Sequence, residues 1–222
     1  MKTVVMLSGG IDSILAWEYL GRPPCVHVDL GLPYSAKELD AVISLMTKTG
    51  MDLDIVHMHG HNLEVTASES FIPGRNLLLG VIGSWYGDHI CIGGVLGDDV
   101  EDNTAASFSD MSATLSAYSR KTVELFTPFR DKTKADIIRW YAEKQGGDVE
   151  VLHSAVGCYS GVADHCGDCP CCARKWIALK AAGIEPRFEL SSRMQLFYLR
   201  RARHDYYHPR RNSDILRAMG DK

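Results

Sequence analysis

The chain has 222 residues, 45% hydrophobic and 23% charged, with a formal net charge of −4, the make-up of a globular protein with a sizeable core. This balance excludes wholesale binding to a polyanion, and no apolar run reaches the length of a membrane span. Seven cysteines, odd in number and mostly clustered, exclude a disulfide framework and predict a reducing, cytoplasmic compartment.

Strand and helix patterns alternate from the start. Residues 3–7 (TVVML) read as a buried strand that leads directly into a glycine turn, with no signal-peptide pattern, and then a helix over 13–21. A second strand covers 25–30, and a helix follows over 35–50 with Ser35 as its N-cap and Gly50 as its stop. The third strand spans 52–58, the next helix 75–87 and the fourth strand 89–95. A helix over 109–121, a strand over 123–129 and a helix starting after Thr133 and ending at Gly146 complete the series. Such alternation predicts an α/β fold, a doubly wound parallel sheet whose ligands bind beyond the carboxyl ends of the strands where the order reverses.

The turn SGGIDS, Ser8 to Ser13, joins the first strand to the first helix. Consecutive backbone N–H groups there, with the positive end of the helix dipole, make an anion nest. Gly9 and Gly10 let the backbone approach a phosphate, and Ser8 and Ser13 add hydroxyls. Asp12 is unexpected in an anion site and reads either as a Mg²⁺ ligand or as a helix cap. Neither the Walker pattern nor GxGxxG is present. The plain alternative is a tight, capped strand-to-helix turn.

Cys158, Cys166, Cys169 and Cys172 are spaced C-x₇-C-x₂-C-x₂-C. Two C-x₂-C steps and an earlier thiolate predict a closed, structural Cys₄ zinc site with S–Zn distances near ~2.3 Å. Such a site contributes on the order of 10–16 kcal/mol of apparent binding energy, enough to order a loop with little core of its own. Cys171 fits the spacing less well, and His165 less again. A redox pair or an iron–sulfur cluster are the alternatives, and nothing else in the chain suggests electron transfer. Cys25 and Cys91 lie in apolar runs and read as buried thiols.

SGGIDS resembles the signature of the PP-loop ATP pyrophosphatases, which adenylate an oxygen and release pyrophosphate. With the cysteine spacing, it resembles the 7-cyano-7-deazaguanine synthase family over about residues 1–175. VDLGLPYSAKELDA (Asp29, Tyr34, Glu38), FIPGRNLLL (Pro73, Arg75, Asn76), GGVLGDD (Asp99) and TPFRDKTKADII (Pro128, Lys134) are similar to that family's segments, in the same order. The resemblance implies an adenine nucleotide alpha hydrolase-like fold, and an enzyme that joins 7-carboxy-7-deazaguanine and ammonia at the expense of ATP, through an acyl-adenylate and an amide, to a nitrile. It implies that Ser8, Gly9, Gly10, Asp12 and Ser13 hold ATP with Mg²⁺. Tyr34, Arg75, Asn76 and Asp99 would meet the substrate, and Asp12, Arg75, Asp99 and Lys134 would serve the chemistry. Zn²⁺ would sit on the four cysteines. The expected organisation is an ATP-binding domain (1–150), a zinc-binding region (151–192) and a basic, aromatic, helical tail (193–222). Where the family carries Tyr-Pro-Asp-Cys-Arg ahead of a Phe, this chain reads VEDNTAAS before Phe108. That departure raises the alternative of an enzyme that stops at the amide.

Other features read two ways. The run GDDVED is a solvated loop or a Mg²⁺ site, with Asp99 the expected ligand. Lys134 reaches the phosphates, or with Lys132 is solvated. Arg75 and Asn76 open a helix into the cleft. His57, His59 and His61 lie at period two, but Gly60 and the lack of a nearby carboxylate argue against a metal there. Between Arg193 and Arg217, seven arginines face only Asp205 and Asp214, giving a +5 segment against a −9 body. With Phe197, Tyr198, Tyr206 and Tyr207 this tail predicts a homo-oligomer, a dimer, and nucleic acid is the other partner class. The rival functions are a tRNA thiolase, which needs a cysteine free for persulfide chemistry, and a non-catalytic zinc module that binds nucleic acid.

Overall fold

The computed structural model describes residues 1–58, 72–98, 100–144, 146–160 and 165–221. Apolar side chains alternate along the first strand, β1 (Thr3–Met6). Val4 and Met6 enter one core, and Val5, with Leu7 just beyond the strand, enters another, so both faces of the sheet are buried. β2 (Cys25–Asp29), β3 (Leu53–His57), β4 (His89–Ile92) and β5 (Glu124–Phe126) join it in the order β3-β2-β1-β4-β5. All four strand pairings are parallel. After β3 the chain returns to the far side of β1, so the order reverses between β1 and β4, the position at which a doubly wound sheet binds its ligand.

α1 (Ile11–Tyr19), α2 (Ser35–Thr49) and α5 (Lys134–Glu143) supply the core on the Val5 face. α3 (Arg75–Tyr86) and α4 (Ala105–Ser119) cover the Val4 face. Cys25 and Cys91 are buried in the sheet, as their surroundings predict. Several boundaries differ from the sequence reading. Ser35 is the first residue of α2 and not its cap: its hydroxyl receives the Leu32 N–H at 2.9 Å and so fixes the turn before the helix. Gly50 does stop α2, in the left-handed region at φ 66°. α4 starts four residues earlier than its apolar pattern, because Thr104 and Ser107 form a reciprocal capping box. Thr133 caps α5 in the same way with Asp136, and the helix ends at Glu143, short of Gly146.

Beyond the sheet lie α6 (Val149–Ser154), α7 (Pro170–Ala181), α8 (Ser192–Arg203) and α9 (Pro209–Ala218). Trp176 and Ile177 of α7 pack with Met194, Tyr198 and Ala202 of α8 and Ile215 of α9 in a third core. The arginines of the tail find acidic partners within the same chain: Arg193–Asp168 and Arg203–Asp221, both at 2.7 Å, and Arg210–Asp136. Part of the tail's positive charge is thus balanced within the chain. Among the described residues, no helix is long and apolar enough to cross a membrane.

Candidate active site

The glycine turn is closed by its own serines. Ser13 Oγ receives the Ser8 N–H, lies 3.1 Å from Ser8 Oγ, and donates to the Gly10 carbonyl. Gly9 adopts φ 75°, and a Cβ there would lie 3.2 Å from the Glu38 carbonyl oxygen of α2. Gly93, at the end of β4, lets that strand approach the turn, since a Cβ would lie 3.0 Å from the Ser13 nitrogen. The loop is braced from outside as well: the Val156 N–H donates to the Gly9 carbonyl at 2.8 Å. Gly10 is the N-cap of α1 without any side-chain cap, so the first N–H groups of that helix face a cleft.

Asp12, in the first turn of α1, therefore caps nothing. Its Oδ2 receives Lys134 Nζ at 2.8 Å, and its Oδ1 is buried with no partner. Burial pushes the Asp12 carboxyl up against the pull of Lys134, and the charge of Asp98 adds to the rise. An orphaned carboxylate oxygen near a second carboxylate suits a hard divalent cation. The Thr133 capping box holds Lys134 at the first position of α5, which aims it across at α1.

These groups line one cleft of about 270 Å³ at the carboxyl ends of β1, β2 and β4. Ser8, Gly10, Asp12, Ser13 and Lys134 form one end of it, and Tyr34, Arg75 and Asn76 another part of its wall. Gly9 supports the loop from behind and is not in the wall. The Asp99 expectation, like those for His59 and His61, lies outside the described residues; Asp98 beside it does line the cleft. His57 is 3.0 Å from Asp29 and is taken up by that pair.

The Tyr34 ring stacks on Tyr159 at 4.4 Å between centroids, giving the cleft a flat aromatic side. Burial, with Glu38 nearby, pushes the Tyr34 hydroxyl up to about 12. The half-buried Glu38 carboxyl is itself pushed up to about 8 by burial, against the pull of Arg75. Asn76 spends its side-chain N–H on the Asp102 carbonyl at 2.9 Å and so ties α3 to a 3₁₀ turn, Glu101–Asn103, that roofs the cleft. In that roof Asp102 Oδ1 and Asn103 Oδ1 are buried without partners.

Sequence reasoning missed the contribution of α7. Its first turns bring Cys171, Arg174 and Lys175 into the cleft wall. Arg174 donates to Cys171 Sγ at 3.0 Å. Lys175 donates to the carbonyls of His153 and Ala155, which holds the segment that braces the glycine turn. The signal for these residues was their position two and three places after the last spaced cysteine, but the cysteine loop reads as self-contained.

The Sγ atoms of Cys158, Cys166, Cys169 and Cys172 lie within 4.8 Å of one another, and Cys166 and Cys172 are 3.9 Å apart. Bonds of ~2.3 Å to a tetrahedral zinc ion require S–S edges of roughly 3.8 Å, so the set fits. Backbone N–H groups of Cys166, Asp168 and Cys172 point at three of the sulfurs, an arrangement that favours thiolates. Cys171 packs beside these four but is not among the sulfurs that lie mutually close, and its Sγ receives the Arg174 guanidinium.

A family model described as Queuosine biosynthesis protein QueC matches residues 37–183, well over half of the chain. The chain belongs to this family. QueC family relatives include the 7-cyano-7-deazaguanine synthases of Brucella ovis and Brucella canis, each 26% identical over 83% of this chain and 91% of theirs. A solved structure, the predicted subunit of tRNA methyltransferase from Methanocaldococcus jannaschii, aligns with a TM-score of 0.45 and 15% identity over 86% of this chain and 92% of that one. Membership of the QueC family assigns the chain to queuosine biosynthesis as an enzyme of that route.

Proposed function

We propose that the chain is an ATP-dependent carbon–nitrogen ligase that converts 7-carboxy-7-deazaguanine and ammonia to 7-cyano-7-deazaguanine. The observation that carries this reading is the meeting, in one cleft, of a serine-closed glycine loop at a helix N-terminus, the Asp12–Lys134 pair and the Tyr34–Arg75 wall. The loop and the α1 N-terminus hold the β- and γ-phosphates of ATP, with Lys134 balancing their charge. Asp12 and Asp98 would hold Mg²⁺, which supplies further neutralisation of the phosphates. Arg75 meets the substrate carboxylate beside the aromatic wall.

The carboxylate oxygen attacks the α-phosphorus and pyrophosphate leaves. The nitrogen of ammonia then attacks the acyl carbon, AMP departs and a proton is released, leaving the amide. The amide oxygen attacks a second ATP, again releasing pyrophosphate, and loss of AMP with a proton gives the nitrile. The protein's contribution is alignment and fixed charge. Cys158, Cys166, Cys169 and Cys172 would hold Zn²⁺, which would tie Tyr159 and the start of α7 together beside the cleft.

The second reading ends at the amide, since the chain lacks the family's Tyr-Pro-Asp-Cys-Arg segment. The unpartnered Asp102 and Asn103 oxygens favour the longer reaction, because they offer acceptors to a bound carboxamide or to the ring's N–H groups. Supplying the purified enzyme with the amide and ATP separates the two. Nitrile formation supports the proposal, and an amide that persists while carboxylate is still consumed supports the shorter reaction.

A further inference from the structure

A second cavity, of about 50 Å³, lies behind the cleft, between α5, α7 and α9. It exceeds the roughly 10–15 Å³ that one water-sized molecule needs. Its walls are mainly apolar: Val95, Ala135, Ile177, Ala178, Tyr198 and Ile215. On the tail side it is bounded by Leu96, Gly97 and Arg211, which are only half-buried, with the Asp214 carboxylate beside them. On the other side, Asp98, Lys134 and Arg174 line both this cavity and the active-site cleft. Three side chains, one of them the Lys134 that grips Asp12, are therefore a shared wall between the two spaces.

We infer that this cavity is the entry for the nitrogen donor, admitting ammonia to the cleft from the tail side of the protein. The inference rests on the proposed ligase reading. An acyl group activated by AMP reacts with water as readily as the site allows, so its nucleophile is best delivered along a path separate from the ATP mouth. A narrow apolar passage passes a small neutral amine and rejects ions, for which loss of hydration is costly. Ammonia in equilibrium with ammonium in solvent is the species that such a passage takes up, and it reaches the cleft beside Asp98, Lys134 and Arg174, which line both spaces. This also gives the C-terminal tail a part in the reaction, since α8 and α9 supply Tyr198, Arg211, Asp214 and Ile215 to the passage.

Ile215 does not line the cleft, so Ile215→Phe fills the passage without touching the ATP or carboxylate sites. With ammonium chloride as the nitrogen source, this variant raises the KM for ammonium about tenfold or more, because the remaining space falls toward the ~10–15 Å³ limit for one small molecule. The KM values for ATP and carboxylate stay unchanged, as does carboxylate-dependent exchange of pyrophosphate into ATP. Ile215→Val, which keeps the passage open, leaves the ammonium KM where it was. Ala178→Val narrows the same passage from α7 and serves if Ile215→Phe does not fold. An unmoved ammonium KM in the filled variant, or an equal rise with Ile215→Val, overturns the passage while leaving the ligase reading intact. Absence of pyrophosphate exchange in the unaltered protein removes the ligase reading and the passage with it.

Discussion

Replacing Glu38 with Gln tests how the cleft sets its charges. Burial drives this carboxyl from its ordinary 4.5 to about 8, even though Arg75 pulls it down. In the unfolded chain it ionises near its ordinary value, so between the two values the folded protein holds a proton that the unfolded chain has lost. Stability must then fall as pH rises through this window, and the loss is complete above the folded value. At ~1.36 kcal/mol per unit the full shift corresponds to about 5 kcal/mol, of which about 3 kcal/mol is lost between about pH 5.5 and pH 8. Solvent around the half-buried carboxyl screens this to about 1–2 kcal/mol. Urea unfolding at both pH values, for the natural protein and Glu38→Gln, isolates the effect as a difference of differences. The variant is expected to gain about 1–2 kcal/mol on its parent as the pH is raised. Parallel pH profiles for the two proteins would refute the reasoning, since Glu38 would then ionise in the fold as it does in water.

Asp12→Asn removes the carboxylate but keeps its shape, and pyrophosphate release should fall by about 10²-fold or more. Its melting temperature should move by no more than about 2–4 °C, the equivalent of ~1 kcal/mol in a chain of this size; full turnover would reduce Asp12 to an anchor for Lys134. Gly9→Ala forces a side chain into the left-handed region against the Glu38 carbonyl, and chemical denaturation should show a loss of about 1–2 kcal/mol. Elemental analysis should find about one zinc per chain, lost in Cys166→Ser and kept in Cys171→Ser. Iron, or a folded protein without metal, would contradict the assignment of the four thiols.

Much of the sheet is legible because its central strands β1 and β4 are buried on both faces and read as short apolar runs, with the helices falling between strand patterns. The glycine turn is legible for a local reason: Ser8, Gly9, Gly10, Asp12 and Ser13 are neighbours, and their chemistry does not depend on distant residues. Tyr34, Arg75 and Lys134 are a different case. Nothing in their spacing brings them together; the resemblance pointed to them, and the crossover from β3 to β4 supplies the meeting point. What the sequence hides is the use of individual polar atoms. Ser35 looks like a cap, yet its hydroxyl closes the preceding turn. Arg174 and Lys175 look like the end of a metal loop, yet they lie on α7, and Lys175 ties that helix to the segment beside the glycine loop through the His153 and Ala155 carbonyls. The tail's charge suggests a partner, while its apolar stripe is matched by α7 of the same chain.

The most direct measurement is a single incubation of the zinc-loaded protein with 7-carboxy-7-deazaguanine, ATP, Mg²⁺ and ammonium, followed by mass spectrometry. The carboxylate is expected to be replaced by the nitrile, with two AMP formed for each nitrile. Carboxylate that survives unchanged while the zinc site is intact, or consumption of ATP to ADP in place of AMP, would contradict the proposed function.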